Sequence, residues 1–131
     1  MTVKSNIELI ETMTLLLKVQ IKSCSAGILA IEPMVEKVCD PFLKKGLMMC
    51  VNGYDSETIN MILKKEVDSA DTYKNIVVEG CEMVAESDNP TVMREKFKSH
   101  LSVDDQCKLG SMAGKLVEEW EEMCERGEVV F

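Results

Sequence analysis

The fold is decided by residues 26–66, which read AGILAIEPMVEKVCDPFLKKGLMMCVNGYDSETINMILKKE. The pair Asp40-Pro41 is typical of a helix start, because aspartate is a favoured N-cap and a proline at the first helical position lacks an amide that would be unpaired anyway. Gly53 predicts the end of that helix, since glycine readily adopts the left-handed conformation that follows many helices. Asp55 or Ser56 then predicts the start of another helix. The stretch therefore indicates a helical hairpin.

The first helix of this hairpin has a clear apolar face, while Lys44, Lys45 and Met48 point elsewhere. The residues of that face are Phe42, Leu43, Gly46, Leu47 and Cys50. Such spacing of three and four is the helical period, so we expect this face to be buried.

Upstream of the hairpin, apolar residues recur at alternating spacings of three and four, interrupted by Thr14. They are Ile7, Ile10, Leu17, Ile21, Cys24, Ile28, Ile31, Val35 and Val38. The spacing predicts helix, but Gly27 and Pro33 weaken it, so we expect two segments, 6–25 and 26–38, either separate or collinear. We favour burial of this seam against the protein's own helices, and homodimerisation through it is the alternative.

Downstream, the pattern predicts a single third helix that ends at the sequence Ser87-Asp88-Asn89-Pro90. Its seam is Ile59, Leu63, Val67, Ala70, Tyr73, Val77, Cys81 and Val84. A short basic helix is expected over Thr91–His100. A last helix follows a Ser102–Asp105 capping pattern and runs to about Arg126. Its predicted apolar face is Leu109, Met112, Leu116, Trp120 and Met123. These patterns predict an all-α bundle of four to five helices in a single domain, 1–131, with residues 128–131 as a tail.

Charge and hydropathy limit the function classes. The 131 residues carry a net charge of −8, which argues against binding to nucleic acid or to an anionic membrane surface. The uncharged stretch at residues 23–31, which no other exceeds in length, is far shorter than the roughly 18 apolar residues of a membrane-spanning helix. We therefore expect a soluble, cytoplasmic protein without membrane insertion. The acidic face Glu118, Glu119, Glu121, Glu122 and Glu125 either meets a basic partner or keeps the last helix solvated, and we favour the second reading.

The sequence offers few residues that could form a catalytic site or a metal site. The six cysteines are scattered without a Cys-x-x-Cys pair, and His100 is the one histidine. Each cysteine lies within or beside an apolar helical pattern, where a free thiol behaves as a small hydrophobic group in a reducing compartment. No glycine-rich phosphate loop, metal spacing or acid–base constellation is apparent. The sequence predicts no enzyme activity, no cofactor and no metal.

The motifs Ala-Gly-Ile-Leu-Ala-Ile-Glu, Asp-Pro-Phe-Leu-Lys-Lys-Gly-Leu and Val-Asn-Gly-Tyr-Asp-Ser-Glu follow one another within residues 26–66. In that order and at nearly those spacings, they resemble the cytoplasmic segment of the flagellar motor stator A subunit (the MotA type). In that family the segment lies between the second and third membrane helices and contacts the rotor. The resemblance extends weakly from Asn6 to Tyr73, and residues 91–131 show none.

The resemblance implies a role for three residues. The glutamate that ends the first motif, Glu32 here, contributes in that family to the electrostatic contact with the rotor switch protein. The family's partner charge is an arginine eight residues earlier, where this chain has Cys24. Lys44 and Lys45 stand in the second motif. The implied function is a non-catalytic interaction module that docks, through Glu32, Lys44 and Lys45, on the rotor switch protein or a stator subunit. The alternative is a self-associating helical adaptor or scaffold unrelated to motility.

Overall fold

A computed structural model describes residues 6–126 of the chain. Within that range the backbone forms seven α-helices and no strand, so the predicted all-α class is confirmed, while the predicted number of four to five helices is too low. The helices are α1 (Asn6–Ala26), α2 (Glu32–Glu36), α3 (Pro41–Val51), α4 (Ser56–Lys64), α5 (Thr72–Ala85), α6 (Pro90–Lys98) and α7 (Val103–Glu125), and a 3₁₀ turn (Ile28–Ile31) joins α1 to α2. The predicted tail, 128–131, lies outside the described residues.

Helix α1 is the central element of the bundle. It packs against α5, α6, α7 and the 3₁₀ turn, so it is covered on more than one side. Its buried apolar residues are Leu9, Ile10, Met13, Leu16, Leu17, Val19 and Cys24. The predicted seam was therefore too narrow, and it was wrong at Ile7, which is 48% exposed. A helix surrounded by partners buries a wide arc of its surface, whereas an alternating three-four pattern selects one stripe.

Helix α1 ends just before Gly27, where the sequence predicts an interruption. Gly27 has φ of +92°, a backbone conformation that other residues rarely adopt. The 3₁₀ turn follows, and Pro33 then lies in the first turn of α2, where its missing amide costs nothing. The expected second segment, 26–38, is therefore two short helical pieces and not one continuous helix.

The predicted third helix is in fact two helices, α4 and α5. Asp68 folds the intervening chain back by accepting a hydrogen bond from the Ala70 amide at 3.0 Å. Asp71 then caps α5 by accepting one from the Lys74 amide at 2.9 Å. Most of the predicted seam is nevertheless buried, although Ala70 in the turn is exposed. Aspartates that bond nearby amides compete with helix continuation, and a periodic apolar pattern does not register that competition.

Helix α3 begins and ends at the predicted residues. Asp40 is its N-cap and accepts a hydrogen bond from the Phe42 amide at 3.0 Å. Gly53, with φ of +85°, follows its end, and the Tyr54 amide closes the turn by bonding the Met49 carbonyl at 3.0 Å. The five predicted apolar residues of α3 are all buried. Asp55 caps α4 through the Thr58 amide at 3.0 Å.

Two glycines set how closely α5 approaches its neighbours. A Cβ on Gly46 of α3 would lie 2.5 Å from the Cys81 Sγ atom of α5. A Cβ on Gly80 of α5 would lie 2.6 Å from a methyl carbon of Leu16 on α1. Any larger side chain at either position must push the two helices apart or displace the facing side chain.

The buried side-chain amide of Gln20, on α1, forms hydrogen bonds with the backbone at the end of α5. Helix α5 stops in a Schellman turn, in which Ser87 has φ of +57° and the Asp88 amide bonds the Met83 carbonyl at 3.1 Å. The Gln20 side chain, which is fully buried, donates hydrogen bonds from its Nε2 atom to the carbonyls of Met83 and Asp88. The turn between α5 and α6 is thus held from the centre of the bundle.

Helices α6 and α7 close the bundle. Asn89 caps α6 through the Thr91 amide at 2.7 Å, and Ser102 Oγ accepts a hydrogen bond from the Asp105 amide at 3.2 Å, as the capping pattern predicts. Helix α7 buries Leu109, Ala113, Val117 and Trp120, which differs from the predicted face. Met112, which the predicted face includes, is 42% exposed. The side chain of Met123 lies outside the described residues.

Within residues 6–126, no helix combines the length and the apolar character that crossing a bilayer requires. Of the cysteines in that range, Cys24, Cys50 and Cys81 are buried, while Cys39 and Cys107 are exposed, so the expected apolar setting is wrong for those two.

Candidate protein-interaction site

The first of the predicted contact residues, Glu32, opens α2 on the protein surface. The Gly27 break and the 3₁₀ turn place it there, and its side chain is exposed. Ile31 before it and Val35 after it are fully buried, so α2 is held firmly from below. Among the described residues, Glu32 forms no ion pair or side-chain hydrogen bond. Its carboxylate is therefore held on a rigid turn and turned towards solvent.

The structure gives the two lysines local partners. Lys44 donates a hydrogen bond from Nζ to the Glu36 carbonyl at 3.3 Å, which ties α3 to the end of α2. Lys45 forms an ion pair with Glu66, which follows α4. Lys44 thus lies at the opposite end of α2 from Glu32, one helical turn away. Glu32 and the Lys44 ammonium group flank one corner of the fold at the two ends of α2, whereas Lys45 pairs with Glu66 and has part of its charge neutralised.

The position of Cys24 departs from the stator pattern for a visible reason. Cys24 is only 8% exposed, and its Sγ atom lies 3.8 Å from the Asp88 carbonyl oxygen in the turn between α5 and α6. A charged side chain pointing into that position would lose its hydration. This fold therefore uses the position for packing and not for a surface charge.

A cleft of about 540 Å³ opens beside this corner, between α1, α2 and the start of α3. It was not predicted from the sequence. Its lining comprises Glu8, Glu11, Thr12, Leu15, Pro33, Met34, Lys37, Val38, Cys39, Asp40, Leu43 and Tyr73. The apolar side chains among them make its floor, and the carboxylates of Glu8, Glu11 and Asp40 give it an acidic character. A sequence pattern could not assemble residues 8–15, 33–43 and 73, because their proximity depends on how α1 packs.

Asp40 and Tyr73, which both line this cleft, are connected by a hydrogen bond. The Asp40 Oδ1 atom caps α3, and its Oδ2 atom accepts a hydrogen bond from the Tyr73 hydroxyl. Burial of the phenol, followed by its hydrogen bond to Asp40, raises the pKa of Tyr73 well above its usual value. The hydroxyl therefore stays protonated and remains a donor throughout the neutral range.

We expect Tyr73→Phe to lower the free energy of unfolding by about 1 kcal/mol at neutral pH, because the variant loses this hydrogen bond. The raised pKa contributes stability that is fully present below about pH 10, where the phenol in the unfolded chain is still protonated, and that is lost as the pH rises towards the folded value. Urea unfolding of both proteins from pH 7 to pH 11 measures this. The difference in the free energy of unfolding between the two proteins should shrink above pH 10. A constant difference would show that the fold does not raise the pKa of Tyr73.

No metal-binding arrangement is present in the described part of the chain. Its His, Cys, Asp and Glu side chains nowhere gather in groups of three or more that could hold an ion. His100 lies 2.9 Å from Glu79, in a surface contact between the end of α6 and α5. The exposed acidic residues on α7 include Glu118, Glu119, Glu122 and Glu125, while the side chain of Glu121 lies outside the described residues.

Comparison with known proteins finds local similarity. Motility protein A of Bacillus subtilis (strain 168) is 46% identical over 43 residues, which is 33% of this chain and 16% of that protein. Uncharacterized protein YtxD of the same organism is 39% identical over 41 residues, which is 31% of this chain and 15% of that protein. The chain thus spans about a sixth of the length of these curated relatives. No family model matches it, and no solved structure does. Over about a third of its length, the chain is similar to a motility protein.

Proposed function

We propose that this chain is a non-catalytic, helical protein-interaction module that docks on a component of the flagellar motor. The observation that carries the proposal is the local similarity to Motility protein A, 46% identity over 43 residues. That length is close to the length of residues 26–66, which resemble the cytoplasmic, rotor-contacting segment of the stator A subunit. The rotor switch protein is the partner we favour, with the stator itself as the second possibility.

Glu32 is the residue on which docking depends. It is exposed on a turn fixed by the buried side chains of Ile31 and Val35. Because the backbone there is already fixed, only the Glu32 side chain has to become ordered when a partner binds. The carboxylate would meet a basic group on the partner and orient the approach, since charges on an interface rim act more on orientation and association rate than on affinity.

Lys44 and Lys45 have a secondary part in this proposal. Lys44 holds α3 against the Glu36 carbonyl, and Lys45 shares its charge with Glu66. Both therefore shape the corner beside Glu32, and Lys45 would need to leave its ion pair in order to reach a partner. An exposed pair of this kind is worth little, so such an exchange costs little.

We expect Glu32→Lys to weaken binding to the C-terminal domain of the rotor switch protein by about tenfold without changing the fold, because reversal replaces one attraction with one repulsion. Fluorescence titration at low and high ionic strength measures binding, and circular dichroism with thermal unfolding checks the fold. The affinity of the unchanged chain should fall as salt rises, since exposed charges are screened within about 10 Å at 0.1 M salt.

Glu119→Lys on α7 is the matched control, because it makes the same change in net charge at another exposed site. Its affinity should stay close to that of the unchanged chain. Loss of binding in the control alone would move docking to the acidic face of α7 and contradict the proposal. Absence of binding by the unchanged chain to the rotor switch protein and to the stator would also overturn it, and the self-associating adaptor would then be the better account.

A further inference from the structure

The cleft between α1, α2 and α3 has the shape of a groove for a helix. One wall is a stripe of α1, in which Glu8, Glu11 and Leu15 recur at helical spacing. Seven residues of helix cover about 10 Å, so the stripe runs for two turns. The other wall is formed by residues 33–38 of α2 and the turn after it. A groove lined on one side by two turns of a helix suits an elongated occupant.

The residues that line the groove are of two kinds, apolar and charged. Leu15, Met34 and Val38 are only partly buried, so their apolar surface is partly open to solvent. The lining also carries three carboxylates, on Glu8, Glu11 and Asp40, against the one ammonium group of Lys37, and the Asp40 carboxylate already accepts hydrogen bonds from the Phe42 amide and the Tyr73 hydroxyl. An occupant that complements both must carry an apolar stripe flanked by positive charges.

We propose that this groove binds a basic, amphipathic helix of a partner protein. An apolar side chain of that helix fills the space above Leu15 and Met34, and its lysines or arginines face Glu8 and Glu11. A second copy of this chain is a poor occupant, because each copy has a net charge of −8 and two copies repel each other. Glu32 does not line the groove. The residue on which the proposed motor docking depends is therefore not part of the lining, although the groove adjoins it through Pro33.

The test uses the full chain and a synthetic peptide helix with leucines at positions i, i+3, i+4 and i+7 and lysines elsewhere. We expect saturable binding that Glu11→Lys weakens by about tenfold. The control Glu118→Lys makes the same change in net charge on exposed α7 and should leave binding close to that of the unchanged chain. Equal weakening by both variants would mean general charge attraction and would overturn the proposal.

A second measurement needs no variant, because two exposed thiols provide an internal comparison. Cys39 lines the groove, and Cys107 lies on α7 away from it. Alkylation with iodoacetamide, followed residue by residue with mass spectrometry, should be slowed severalfold at Cys39 by saturating peptide and unchanged at Cys107. Unchanged alkylation at Cys39 would overturn the proposal. The two proposals are tested with different probes, the peptide here and the rotor switch protein there, and with different decisive residues, Glu11 and Glu32, so failure of the motor docking and failure of this groove are distinguishable.

Discussion

Gly46→Val is expected to lower the free energy of unfolding by about 3 kcal/mol, at the upper end of the usual cost of overpacking a core. The first added carbon would lie 2.5 Å from Cys81 Sγ and 3.2 Å from a methyl carbon of Leu63. Cys81 is fully buried, so its side chain has no solvent-exposed position beside it into which it could move. Urea unfolding followed by circular dichroism measures the change.

Gly110→Val provides the control for this experiment. Gly110 lies inside α7, and a Cβ there would meet nothing within 4 Å. Valine is slightly better than glycine in a helix interior, so this variant should stay within about 0.5 kcal/mol of the unchanged chain. Equal losses in the two variants would show that the close approach of α3 and α5 does not limit the side chain at Gly46.

Leu16→Ala is expected to lower the free energy of unfolding by about 2–5 kcal/mol, because it removes buried methyl groups and leaves a cavity at the centre of the bundle. Leu16 is fully buried, and it lies over the bare backbone of Gly80, with a methyl carbon 2.6 Å from where a Cβ would be. Unfolding in urea measures the loss. Leu15→Ala is the matched comparison, since that leucine is only partly buried and should cost clearly less.

The contact between Leu16 and Gly80 also predicts how two substitutions combine. Gly80→Ala alone should lower the free energy of unfolding, because the new methyl group would overlap with the Leu16 side chain. Joined with Leu16→Ala, the same methyl group partly fills the cavity, so the double variant should lose less than the sum of the two single losses, by about 0.5–3 kcal/mol. Strict additivity would mean that the two residues do not touch.

The sequence predicts the fold best where a side chain acts on its own backbone. Asp40, Gly53 and Asp55 bound helices at the expected residues, because capping is local chemistry. The third helix was predicted as one piece because apolar spacing continues through the turn near Asp68, where that side chain accepts a hydrogen bond from the Ala70 amide and the helix is interrupted. The extent of burial on α1 was likewise underestimated, since it depends on packing against helices that lie far along the chain.

The features of the candidate site also differ in whether the local sequence can predict them. An exposed Glu32 follows from Gly27 and Pro33, which break the chain around it. The partners of Lys44 and Lys45, namely the Glu36 carbonyl and Glu66, could not be predicted, because each lies on another helix or beyond one. The groove was missed entirely, as its walls come from segments that no local pattern connects.

The position of α1 has a consequence for the order of events during synthesis. Among the described helices α1 leaves the ribosome first, yet three of its main partners, α5, α6 and α7, lie in the second half of the described residues. The pieces from α2 to α5 mostly contact their neighbours in sequence and can associate early, while the apolar surface of α1 must wait. Distant pairings slow folding and leave hydrophobic surface uncovered in the meantime. Much of the apolar surface of α1 therefore stays uncovered in the nascent chain until α5, α6 and α7 have emerged.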